Sequence, residues 1–165
     1  MPATYEPIST TTLSSAQSSI TFSSISGSYT DLVLVINGQL TTADVPIMRV
    51  NSDTATNYSV TQLYGNGTSA ASGRQANFGS AVICCLNTNC SANEQFTILV
   101  NLQNYSNATT YKTFLSRFAQ ASLQTEATVS MWRNTNAITA IQILLYAGNT
   151  YKSGSTFTLY GIKAA

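Results

Sequence analysis

The chain has 165 residues, a net charge of +1 and only 8% charged residues, so it is long enough for one domain with a real core. Its few Lys and Arg are scattered and form no basic stripe, which argues against nucleic-acid binding. No apolar run reaches the length of a membrane-spanning helix, and the start Met1-Pro-Ala-Thr-Tyr-Glu lacks the basic and apolar regions of a signal peptide. Ser, Thr and Asn stand where charge is usual. That composition suits a surface partly covered in an assembly, and equally a secreted or adhesive β-protein.

Met1 to Ser19 is dense in Ser and Thr, with Tyr5, Ile8 and Leu13 as its few apolar anchors. It reads as an extended N-terminal arm over residues 1–18, or as a weak first strand, rather than as core, and the three anchors are candidate assembly contacts. Ser19 to Ile25 alternates, Ser26-Gly27-Ser28 forms a turn, and Tyr29 to Ile36 reads as a central strand, apolar on both faces. Pro46–Asn51 is a short strand with Pro at its entry, where a missing N–H is tolerated. Asn57–Tyr64 is the next strand, ended by Gly65-Asn66-Gly67. Thr68 to Ala76 is small and polar, and reads as a surface loop. Phe78–Leu86 and Gln95–Leu102 are strand candidates, followed by alternating Thr110–Phe118 and Thr125–Trp132. Ala119–Gln124 between them could be a helical turn.

At the end of the chain, Ala137–Tyr146 and Ser155–Ile162 flank a polar linker with two glycines. This is the pattern of a closing pair of strands that completes the domain. About ten strands at 8–12-residue spacing, without helices, predict an all-β fold. We expect a jelly-roll-like antiparallel β-sandwich over residues 19–165, a single domain following the arm.

The residues that usually carry chemistry are sparse. With no His, catalysis by Ser–His or Cys–His pairs and His-ligated metals are excluded. Six carboxylates, Glu6, Asp31, Asp44, Asp53, Glu94 and Glu126, are spread along the chain, and a glycosidase would have to assemble two of them in space. Gly65-Asn66-Gly67 lacks the strand–loop–helix context of a phosphate cradle and reads as a tight turn. The glycosylation-like triplets at Asn57, Asn66, Asn104 and Asn107 are expected by chance in so Asn-, Ser- and Thr-rich a chain. Cys84, Cys85 and Cys90 are odd in number, and one short of the four ligands of a structural zinc site. Their expected state is reduced, partly buried thiol, with a Cys90 pairing or an intermolecular bridge as the alternative. No cofactor or metal is expected. The nine Tyr and Trp132 are expected as half-buried sheet residues, the alternative being a sugar-stacking platform.

An ordered series of short stretches resembles a group of small virion structural proteins of tailed bacteriophages. They are Met1-Pro-Ala-Thr-Tyr5 with Ile8, Ser19–Ile25, Tyr29–Leu34, Asn57-Tyr-Ser59, Leu63–Gly67, Trp132 followed by Ala137–Ile141, and the ending Gly154–Ile162. Similar endings occur in terminal domains of phage tail fibres and in carbohydrate-binding sandwich modules. The resemblance implies a non-enzymatic virion protein assembled in the host cytoplasm. Its leading form is a capsid decoration or cement protein on the capsid surface. Its partners would be the major capsid protein or other virion proteins and further copies of itself, with a homotrimer as the geometric guess. The alternative it implies is a tail-fibre or receptor-binding protein that recognises host surface glycans. Cys84, Cys85 and Cys90 belong to no part of this resemblance.

Overall fold

The computed structural model describes residues 4–163. Residues 1–3 of the expected arm, and 164–165 of the expected sandwich range, lie outside the described residues. Twelve strands form: β1 (Tyr5–Thr12), β2 (Ser19–Phe22), β3 (Asp31–Gln39), β4 (Pro46–Val50), β5 (Tyr58–Gly65), β6 (Ala70–Phe78), β7 (Ala81–Val82), β8 (Gln95–Gln103), β9 (Lys112–Gln120), β10 (Gln124–Trp132), β11 (Ile141–Leu145) and β12 (Thr156–Ile162). An eight-stranded sheet runs in the order β1-β12-β3-β8-β9-β10-β5-β6, and a four-stranded sheet in the order β2-β11-β4-β7. Every strand pairing is antiparallel. The protein is thus a jelly-roll-like antiparallel β-sandwich.

One half of the large sheet follows the ordinary rule for a half-buried sheet. β3, β8 and β12 send Leu32, Leu34 and Ile36, Ile98, Val100 and Leu102, and Phe157 and Leu159 inward. These meet Ile20, Phe22, Met48, Val50, Ile141 and Ile143 of the small sheet in one core. Each fully buried side chain of this size contributes roughly 1.5–3 kcal/mol by leaving water. At the edge of that core the ring of Tyr29 lies against Gly161. A Cβ there would come within 2.3 Å of the ring, so the close approach requires glycine.

Four local expectations are corrected. Residues 5–12 of the expected arm are extended but not free: they pair with β12 as the edge strand of the large sheet, with a register shift between Pro7 and Ser9. Pro7 is accommodated because an edge strand leaves one row of N–H groups unpaired. The segment read as the loop Thr68–Ala76 is largely strand β6. Its side chains are mostly polar and exposed because it is an edge strand, held by backbone pairing to β5, with Phe78 packed against the core and Arg133 donating to Asn77 Oδ1. Of Phe78–Leu86, Phe78 ends β6 and Ala81 and Val82 form β7, and the rest is irregular around the cysteines. β11 and β12, finally, do not pair with each other. The polar linker carries the chain from the small sheet to the large one, where β12 lies between β1 and β3.

The turn at 65–70 forms as expected. Gly67 has φ +88°, and the Asn66 side-chain oxygen accepts hydrogen bonds from the N–H groups of Thr68 and Ser69. Between β9 and β10 the connection is a tight β-turn rather than a helical one, with the Leu123 N–H donating to the Gln120 carbonyl.

Candidate assembly face

The other half of the large sheet buries polar residues beside its aromatic ones. Along β10 the inward positions are Gln124, Glu126, Thr128, Ser130 and Trp132, all buried, while Thr125, Ala127, Val129 and Met131 face outward. β9 buries Lys112, Ser116 and Gln120 beside Phe114 and Phe118, and exposes Leu115 and Arg117. β5 buries Gln62 and exposes Leu63. A slip of one residue would exchange the two faces of a strand, so something must hold this register. At one end, Trp132 stacks on Tyr58 with ring centroids 6.5 Å apart, and its Nε1–H donates to Asp53 Oδ2 at 2.6 Å. At the other end, Glu126 accepts hydrogen bonds from the Cys85 backbone N–H and from the amides of Gln62 and Gln124, each at 2.6 Å.

The buried polar groups hold the chain between β7 and β8. The Leu86 N–H donates to Gln62 Oε1, the Ser91 N–H donates to Gln120 Oε1, and Ser130 Oγ donates to the Val82 carbonyl. Irregular backbone in an interior needs such partners, because an unpaired buried N–H costs about 1–3 kcal/mol. Burial pushes the Glu126 carboxyl up to about 7, opposed by the Cys85 N–H and the Gln124 amide. Burial likewise pushes the Tyr58 hydroxyl up to about 12. For Asp53 the effect of burial is outweighed by the Asn57, Trp132 and Ala55 donors, and its carboxyl lies below the usual value.

Outside, the same strands present an apolar surface. Strand register aligns Tyr160, Val33, Asn101, Leu115, Val129 and Thr61 in one row across β12, β3, β8, β9, β10 and β5. The next row is Thr158, Val35, Leu99, Arg117, Ala127 and Leu63. Leu63 is 63% exposed, Val129 44%, and Leu115 and Met131 37% each. Val33 of these rows is buried and Arg117, Asn101 and Thr61 interrupt them, so the exposed apolar side chains are Leu63, Leu115, Val129 and Met131. Exposed apolar side chains gathered on one face make a candidate interaction surface.

The three sequence-predicted assembly contacts divide. Tyr5 is exposed, packs edge-on against Tyr160 with ring centroids 6.4 Å apart, and so borders the apolar face. Ile8 packs against the core and Leu13 is buried, so both are spent on the fold. The outer-face residues of β5, β9 and β10 were missed. The signal was present in Thr125–Trp132, where Ala, Val and Met alternate with Glu, Thr and Ser, but the pattern alone does not say which parity is buried.

Trp132 is buried, which removes it as a sugar platform. The carboxylates are held in structural roles. Glu6 pairs with Lys163, Asp31 accepts from the Asn104 N–H, Asp44 from the Val45 and Ala147 N–H groups, and Glu94 from the Ser122 N–H. Cys84, Cys85 and Cys90 are all fully buried and lie together, with their sulfurs within 4.8 Å of one another.

No protein-family model and no curated protein matches the chain. Among solved structures, it is similar to the Caenorhabditis elegans galectin LEC-6, at 10% identity and TM-score 0.39, over 94% of this chain and 96% of that one. It is also similar to the PL-14 alginate lyase of Aplysia kurodai, at 10% identity and TM-score 0.37, over 86% and 72%. A third is a tail fibre protein of an E. coli phage, at 12% identity and TM-score 0.32, over 83% of this chain but 16% of the fibre. The class defined by the fold is the all-β, jelly-roll-like sandwich.

Proposed function

We propose that this protein is a non-enzymatic virion structural protein that decorates and cements a phage capsid, docking through the outer face of its large sheet. One observation carries the docking reading: Leu63, Leu115, Val129 and Met131 form an exposed apolar face above a buried polar network. The low charge and the ordered resemblance to tailed-phage virion proteins support the virion setting. The partners are the shell protein and further copies of this chain. Tyr5, at the border of the face, stays among the contacts. Deleting the N-terminal segment would strip a strand from the sheet, so point substitutions are the cleaner probe.

The test is the double substitution Leu63→Asp with Val129→Asp, scored by copies per purified particle and by shell survival on heating. Both side chains are exposed, so folding should survive, which circular dichroism checks. The expected result is a folded protein absent from particles, and shells of lower thermal stability. Unchanged occupancy would overturn docking through this face. A few dozen wild-type copies located on the tail, together with binding in a glycan screen, would replace the cement role by receptor binding.

A further inference from the structure

Cys84, Cys85 and Cys90 converge on one point. Consecutive residues in extended backbone point to opposite sides, so Cys84 and Cys85 could not ordinarily share a centre. They do because Cys85 has φ +60°, a left-handed conformation that a Cβ-bearing residue adopts at a cost. The Cys84 and Cys90 sulfurs are 3.5 Å apart, and all three sulfurs lie within 4.8 Å of one another. A metal–sulfur bond of about 2.3 Å sets sulfur–sulfur edges of about 3.8–4.0 Å in tetrahedral or trigonal geometry. The Cys84–Cys90 separation of 3.5 Å is slightly shorter than that, and the three sulfurs are close enough to share one ion after a small adjustment.

The surrounding protein fixes this arrangement. The Cys85 N–H is held by Glu126, the Leu86 N–H by Gln62 and the Ser91 N–H by Gln120, while the Cys90 N–H donates to the Asp44 carbonyl. Glu126, Gln62 and Gln120 are themselves buried. Three thiols acting only as small apolar fillers would need neither the strained Cys85 nor three buried polar side chains fastening the loop that carries them.

We infer that Cys84, Cys85 and Cys90 form a three-sulfur site for one soft, thiophilic d10 metal ion. Thiolate ligands select Cu(I) and Zn(II) among such ions. Among the described residues no fourth Cys, Asp or Glu joins the cluster. Structural zinc almost always takes four ligands, so three-coordinate Cu(I) is the better match. Counting ligands in the sequence pointed away from a metal because it assumed four-coordination. All three side chains are fully buried, so the ion enters as the loop closes during folding, and the thiols release their protons to solvent as they bind.

The experiment unfolds the full chain under reducing conditions and refolds it with Cu(I), with Zn(II), with Cd(II) as a spectroscopic probe, or with chelator alone. The expected result is one ion per chain by elemental analysis, a sulfur-to-cadmium charge-transfer band, and a higher melting temperature than the chelator sample. Retention of Cu(I) but not Zn(II) against a competing chelator would support the preference for copper, and X-ray absorption showing three sulfur neighbours would support three-coordination. Equal retention of Zn(II) would keep the site and overturn only the preference for copper. Cys90→Ser, with folding checked by circular dichroism, should lose at least the roughly 10–100-fold in affinity typical of disturbing outer-shell partners alone. The wild-type stoichiometry and band decide the question even where that variant fails to fold. Wild type that binds no stoichiometric ion and melts alike in every sample would overturn the site, as would a Cys84–Cys90 disulfide in protein isolated under thiol-blocking conditions.

Discussion

The two halves of the large sheet solve the same problem in opposite ways. β12, β3 and β8 bury Leu, Ile, Val and Phe, and their inner faces merge with the core. β9, β10 and β5 bury Gln, Glu, Ser and Thr among Tyr58, Phe114, Phe118 and Trp132, and lift Leu63, Leu115, Val129 and Met131 into solvent. The first half stabilises by removing apolar surface from water. The second half gives up part of that gain, and its buried polar groups stabilise only insofar as each finds a partner. Gln62, Gln120 and Glu126 find them in the backbone of the cysteine-bearing loop. Ser116 Oγ, between Phe114 and Phe118, is buried and has no partner among the described residues. A sheet so built presents Leu63, Leu115, Val129 and Met131 on its outer face.

The largest effect on stability belongs to the conventional half. Leu34→Ala, at a fully buried position of β3, should cost about 2–5 kcal/mol by lost burial and cavity formation, read from urea unfolding. A cost near zero would mean that this core is not packed as described. In the other half, Glu126→Ala leaves the Cys85 N–H and the amides of Gln62 and Gln124 without their acceptor. The expected cost is about 3 kcal/mol, accompanied by faster hydrogen exchange in the loop after β7. A neutral result would show that the inner polar network does not hold that loop.

The Tyr58 hydroxyl gives the comparison a pH axis. Its folded-state value of about 12 exceeds the ordinary 10, so the folded protein holds this proton more tightly than the unfolded chain. Its contribution is complete below pH 10 and is lost as pH rises through 12, amounting to no more than about 2 kcal/mol once solvent screening is allowed for. Denaturation measured between those limits should show the decline, and Tyr58→Phe should flatten part of it. The smallest effect is expected on the outer face. Leu115→Thr with Val129→Thr should change monomer stability by no more than about 0.5 kcal/mol while lowering particle occupancy. A large loss of monomer stability would mean that the face is packed rather than presented.

Much of the fold was legible before the structure. The alternation of Ser155–Ile162, the strand Tyr29–Ile36 with its apolar end and the Gly-Asn-Gly turn required no tertiary information, because strand period and positive φ are local properties. β6 was not legible as a strand. Ala70–Phe78 has too little apolar surface to signal one, and its pairing depends on the neighbouring β5. Of the candidate contacts, Tyr5 lies exposed, while Ile8 and Leu13 turn inward, because an apolar anchor in a polar segment can face its own core as readily as a partner.

The sequence by itself determined that this protein is all-β, poor in charge and without histidine chemistry, since these follow from composition and from a period of two. Only the tertiary structure decided which parity of β9 and β10 is buried. That choice depends on cross-strand register and on the Trp132, Asp53 and Glu126 contacts that fix it, which join residues far apart in the chain. The same holds for Cys84, Cys85 and Cys90. Their spacing in the chain gives no geometry, and their convergence follows from one left-handed residue and from side chains donated by three other strands.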